Sequence, residues 1–255
     1  MFWEDVEPNL TPRLSDAVAR AYDVFGKYKL SGTIVHCDCS VCMSADVARQ
    51  LSSLPLSEIN ASLLAEYTNS AHGYDTETIE PEFKHFLPRY LDLIANCDPP
   101  SHIGLETCLV RLQGYRERWP KAEIEAVDAF FDAFVAASVD QLRLLEWPVG
   151  LRLDFDMGEV LGMVVLAGGD LERVLAVFDA SPDPQAAVHM ASMRLDVGVR
   201  RGRSHFENAH YSDFPEAATR IGEWLMREEV ADRIVAAHES LDDPDYDDIL
   251  NLALG

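Results

Sequence analysis

Apolar residues recur at intervals of three and four along almost the whole chain, so the sequence predicts helices nearly throughout. Thr11 is placed to cap a first helix with Pro12 at its first position, and Leu14, Val18, Tyr22, Phe25 and Tyr28 then draw one apolar stripe. A polar helix is expected from near Ser44 to the Leu54-Pro55 break. Another follows Asn60, where Leu63, Leu64 and Tyr67 recur until Gly73 closes the pattern. From Pro81, the residues Phe83, Phe86, Leu87, Tyr90, Leu91 and Ile94 form an aromatic-rich face that Pro88 should break or kink. Ser101 then leads into Leu105, Cys108, Leu109 and Leu112.

The longest signal runs from Pro120 to about Glu146, where Ile124, Val127, Phe131, Phe134, Leu142 and Leu145 line one face, and it predicts the central helix of the fold. The run Val160 to Ala167 is too short for periodicity to separate a buried helix from a buried strand. Gly168-Gly169-Asp170 reads as a helix end and a new cap, Asp183-Pro184 as another start, and Asp213 with Glu216 as a capping box ahead of Ala217, Ile221, Trp224 and Leu225. The acidic stretch Asp242 to Asp245 sets off a short last helix. No strand alternation extends beyond a few residues, and no repeat period emerges. The expected fold is all-α: one compact multi-helix domain, or two helical subdomains divided at Trp147-Pro148-Val149-Gly150 into 1–148 and 149–255.

Charge narrows the choice of partners. Of 255 residues, 44 are acidic and 21 basic, a formal net charge of −23. The excess is spread over both halves, so it is not an appended tail. Such a field repels nucleic acid phosphates and anionic lipid and steers a basic protein inward; solubility alone also accounts for it. No apolar run approaches the roughly 18 to 20 residues of a membrane span. The acidic N-terminus lacks the basic and then apolar character of a signal peptide. The expectation is a cytoplasmic protein with no nucleic-acid or membrane role.

The one segment that asks for special chemistry is His36-Cys37-Asp38-Cys39-Ser40-Val41-Cys42, which gathers three of the five cysteines. Thiolates are soft ligands, and a C-x-C-x-x-C turn can bring three of them onto one tetrahedral zinc ion. The fourth ligand can be His36, although neighbouring residues often point apart, or His72, His85, His102, Cys97, Cys108 or water. Water would leave an open position for catalysis; a closed shell makes the ion a structural staple, which is the expected role. Free cysteines packed in the turn are the plain alternative. An odd cysteine count with Cys37 and Cys39 so close does not fit a disulfide framework, and it favours a reducing compartment.

A second polar cluster runs from Arg200 to His210, with Arg200, Arg201 and Arg203 the only local basic patch. Its His205, Glu207, His210 and Asp213 do not share a helical face, so a solvated loop is expected. Asp154, Asp156 and Glu159 around Gly158 resemble a fragment of a calcium loop but lack its remaining ligands and read as a turn. The chain has no Walker loop, no G-x-G-x-x-G after a strand, no G-x-S-x-G elbow, no H-E-x-x-H and no zinc-deaminase pattern.

The stretches SADVARQLSSLPLSEINASLLAEYTNSAH, FKHFLPRYLDLIA and ERWPKAEIEAVDAFFDAF, with the cysteine turn upstream, resemble a family of uncharacterised bacterial proteins over about residues 30 to 135. The resemblance implies a bacterial, cytoplasmic origin and makes the cysteine turn a family feature; it carries no catalytic residue. The reading that emerges is a non-catalytic acidic helical binding protein with structural zinc, one form being an antidote or immunity-type protein that covers a basic partner. The alternatives are a zinc-dependent hydrolase built on the turn and a thiol redox switch that releases its metal on oxidation.

Overall fold

Helix starts follow the caps that the sequence offers. Thr11 accepts a hydrogen bond from the Leu14 amide at 3.2 Å and opens α1 (Pro12–Phe25). Ser44 opens α2 (Ala45–Ser53) through the Val47 amide, and Asn60 opens α3 (Ala61–Thr68) through Leu63. Each cap satisfies an amide that the first helical turn leaves without a partner. The chain is seen in a computed structural model that describes residues 7–30, 32, 34–37, 39, 42–70, 76–142, 144–147, 150–153, 156–241 and 244–254. Gly73 lies outside the described residues; α3 ends at Thr68.

The remaining helices are α4 (Thr76–Ala95), the short α5 (Tyr115–Arg118), α6 (Lys121–Val139), α7 (Met157–Leu166), α8 (Leu171–Ala180), α9 (Pro184–Arg194), α10 (Pro215–Leu225), α11 (Glu228–Ser240) and α12 (Pro244–Leu254). The fold is all-α, with two small antiparallel hairpins among the described residues. In the first, β1 (Leu144–Trp147) pairs with β2 (Gly150–Leu153), Leu145 opposite Arg152. In the second, β3 (Val197–Arg200) pairs with β4 (Arg203–Phe206), Val197 opposite Phe206.

Several expectations change at this point. The long helix stops at Val139, and Leu145 lies on a strand. Its helical phase relative to Phe134 arises from spacing across two elements. Helix α4 begins ahead of Pro81 and continues through Pro88, so each proline removes a backbone donor without ending the helix. The Leu105–Leu112 segment is two 3₁₀ turns, Leu105–Thr107 and Val110–Leu112, between Gly104 and the left-handed Gly114. Gly114 has φ +78°, a conformation that favours glycine. Val160 to Leu166 resolves as helix, with Ala167 in the turn that follows and every residue of α7 but Glu159 buried. Helix α10 starts at Pro215 behind Phe214 and has no side-chain cap, so the Asp213 and Glu216 box does not form.

By its contacts the chain divides into two units, one of residues 1–134 with 167–169 and one of 135–166 with 170–255. In the first, α1 packs on α4, and aromatic rings fill the interior: Phe25 against Trp119 at 5.8 Å, Tyr67 against Phe86 at 5.1 Å. A buried ion network also sits there. Lys84, 5% exposed, reaches Glu80 and Glu123 at 3.0 Å each and lies 4.1 Å above the Trp119 ring. Glu123 is fully buried and also meets Lys27 at 2.6 Å and the Tyr28 hydroxyl at 2.7 Å, and these partners hold its carboxyl below the usual range against the opposing effect of burial.

In the second unit, α9 packs against α11, α12, α10 and α7. At its centre His189 is fully buried, with Nε2 2.7 Å from the Gln141 carbonyl oxygen. Burial pushes this imidazole down to about pH 4, so it is neutral in the folded protein near neutrality.

Candidate metal centre

The segment between α1 and α2 has no helical period of its own, and this leaves its cysteines free to face one another. The sulfurs of Cys37, Cys39 and Cys42 all lie within 4.8 Å of one another. Cys39 is exposed, Cys37 and Cys42 are half-buried, and the Cys39 amide donates to the Cys37 sulfur at 3.4 Å. This is the one group of metal-ligand side chains at such distances among the described residues. It can hold a metal ion through three soft donors.

Both ends of the turn are pinned from outside. Upstream, the Val35 amide donates to Oε2 of Glu82 on α4 at 3.0 Å. Downstream, the Met43 amide donates to Oγ of Ser70 at 2.7 Å, and that hydroxyl donates to the Glu66 carbonyl oxygen at 2.7 Å. Glu82 and Ser70 are 8% and 6% exposed, so both anchors are interior. Arg111 fixes the Ser70 segment by donating to the carbonyl oxygens of Tyr67, Thr68 and Ser70 at 2.9 to 3.3 Å while its guanidinium lies 4.7 Å from the Tyr67 ring centre. Burial drives the Glu82 carboxyl above its ordinary range, opposed by the Val35 amide, the Tyr67 hydroxyl and the positive charge of Arg111. His36 is half-buried beside this carboxyl and stands outside the three-sulfur group.

The other fourth-ligand candidates are elsewhere or undescribed. His85 is half-buried on α4, with Nδ1 3.1 Å from the Tyr28 carbonyl oxygen, and burial lowers its affinity for a proton. His102 is exposed and faces Glu66 at 3.3 Å. Cys97 and Cys108 are buried, and desolvation raises both thiols, Cys97 up to about 12. His72 lies outside the described residues. Glu82, Ser70 and Arg111 went unread in the sequence, yet Glu82 carries a signal: it precedes Phe86 and Tyr90 by four and eight residues and so shares their buried stripe.

The Arg200 to His210 cluster, expected as a loop, is the tip and second strand of the β3–β4 hairpin followed by a 3₁₀ turn at Ala209–Tyr211. Arg201 and Gly202 at its tip have φ +52° and +78°, the paired positive values of a type I′ turn. Arg200 meets Glu207 at 3.6 Å, and Arg203 meets Glu223 at 2.8 Å. His205 packs Nδ1 3.3 Å from the Thr219 hydroxyl, which donates its own proton to the Pro215 carbonyl oxygen. His205, Glu207, Tyr211 and Ser212 border a cavity of about 300 Å³, while the His210 amide donates to the capping Asn208 side chain and Asp213 is exposed. No metal-ligand group forms here among the described residues. Asp156 binds the Gly158 amide at 2.7 Å at the start of α7, which accounts for it as a turn residue; Asp154 lies outside the described residues.

Compared with known proteins, the chain matches no protein-family model, no curated protein and no solved structure. Among the described residues, no helix is long and apolar enough to cross a membrane.

Proposed function

We propose that the protein is a non-catalytic, strongly acidic helical binding protein, cytoplasmic, whose cysteine turn is stapled by one zinc ion. The mutual approach of the three sulfurs within 4.8 Å carries this reading. Cys37, Cys39 and Cys42 supply three ligands, and His36, next in the chain, is the proposed fourth. Three thiolates donate much charge to zinc and make it a poorer Lewis acid than histidine-rich sites do, which favours a staple over a catalyst. All five cysteines are free thiols, in keeping with a reducing compartment.

The net charge of −23 suits a basic protein partner, and an antidote or immunity-type role is its most concrete form. Elemental analysis of untagged protein purified without chelator tests the staple: one zinc per chain is expected, and metal-free protein would reject it. Copurification at low and high salt tests the partner. A basic protein retained at low salt and lost at high salt is the expected result, and no basic partner at either salt counts against it.

A further inference from the structure

We infer that Ser70 and Glu82 are positioning residues of the metal site, clamping the two ends of the cysteine turn so that its three sulfurs are gathered before the ion arrives. The inference rests on the zinc reading above and deepens it. The Val35 amide, two residues ahead of Cys37, is held by Glu82, and the Met43 amide, one residue beyond Cys42, is held by Ser70. The clamps come from different places: one from within α4, the other from just beyond α3. A loop with both ends fixed has far fewer conformations to lose when three side chains converge on one ion.

The burial of the two clamps argues for a specific task. A carboxylate inside a protein is costly unless its interactions repay the lost water. Glu82 gives its buried oxygen to a backbone amide beside the turn, with the cation of Arg111 nearby. Arg111 serves both clamps, since it also grips the backbone at Tyr67, Thr68 and Ser70. Neither clamp contributes a sulfur or a nitrogen to the cluster. Their effect on a metal would therefore be on affinity, with the donor set unchanged. Groups that orient metal ligands in this way typically change affinity about 10- to 100-fold when removed.

The test is titration of cobalt(II) into reduced, metal-free protein, read by its thiolate charge-transfer absorption and set against a competing chelator. Wild type, Ser70→Ala, Ser70→Thr and Glu82→Gln are compared. The expected result is binding about 10- to 100-fold weaker in Ser70→Ala and Glu82→Gln, with the absorption per bound ion unchanged. Ser70→Thr, which keeps the hydroxyl, should recover most of the affinity. Should Glu82→Gln unfold, Ser70→Ala with its threonine rescue carries the test alone. Wild-type affinity in Ser70→Ala, or an altered spectrum that marks a changed ligand set, would overturn the positioning role. Wild-type protein that takes up neither cobalt nor zinc would instead strike the metal reading itself.

Discussion

The cysteine turn and the β3–β4 hairpin look alike in sequence, since each crowds ligand-type side chains into about ten residues. They end in opposite states. The hairpin has its own period, and its register against α10 gives each side chain a separate partner: Arg200 meets Glu207, while Arg203 and His205, on one face of their strand, meet Glu223 and Thr219 of α10. The turn has no period, and its shape is imposed by Glu82 and Ser70 at its ends. Local density of metal-binding residue types becomes a cluster only where the backbone does not already dictate where they point.

The largest effect should come from the turn. If zinc is bound there, metal binding is folding energy, at about 10 to 16 kcal/mol of apparent binding in small zinc peptides. Cys39→Ser or Cys42→Ser is expected to lower the melting temperature by roughly 10 °C or more. Differential scanning calorimetry checks this, and unchanged melting in both variants would remove the contrast with the hairpin.

The hairpin should break through its backbone. A Cβ on Gly222 of α10 would stand 2.6 Å from the His205 amide nitrogen and 2.8 Å from its Cα. These are main-chain atoms that no side-chain rotation can move aside. Gly222→Ala should cost about 3 kcal/mol through overpacking, measurable by urea denaturation.

Acid reports on a third place, the interior of the second unit. His189 has its folded-state proton affinity depressed to about 4 from an ordinary 6.5, so the unfolded chain binds the extra proton first. Its contribution is fully present above pH 6.5 and is lost as the pH falls to 4, a change of roughly 3 kcal/mol. Denaturation of metal-free protein isolates this term from acid release of metal, and His189→Gln should flatten the slope between those two pH values.

The smallest effect belongs to the hairpin's exposed ion pair. Arg203→Ala removes the contact with Glu223, and with both partners in solvent it should leave the melting temperature unchanged within error.

Most helices were legible because capping and apolar spacing agree: Thr11, Ser44, Asn60, Asp170 and Asp183 each cap the helix expected of them. Where those signals compete, the reading fails. Leu142 and Leu145 continue the phase of α6 beyond its end, and at Asp213 a proline two residues later sets a different helix start. Val230, Ile234 and Ala237 did offer a helical stripe for α11, and Arg201-Gly202 behind Val197 and Val199 offered a turn into a hairpin. At the candidate site, the sulfurs were legible and their supports were not. A hydrogen bond from Met43 to Ser70 spans 27 residues, and spacing along one segment carries no trace of it.

The burial of Cys97 and Cys108 gives the five thiols two reactivities. Desolvation keeps those two protonated and shielded, while Cys39 is open to solvent and Cys37 and Cys42 are half so. A sulfhydryl reagent added to folded, metal-free protein should thus count three groups, and five once the chain is denatured. Any ion held by the turn would mask those same three, so the protein carries an internal gauge of its own occupancy.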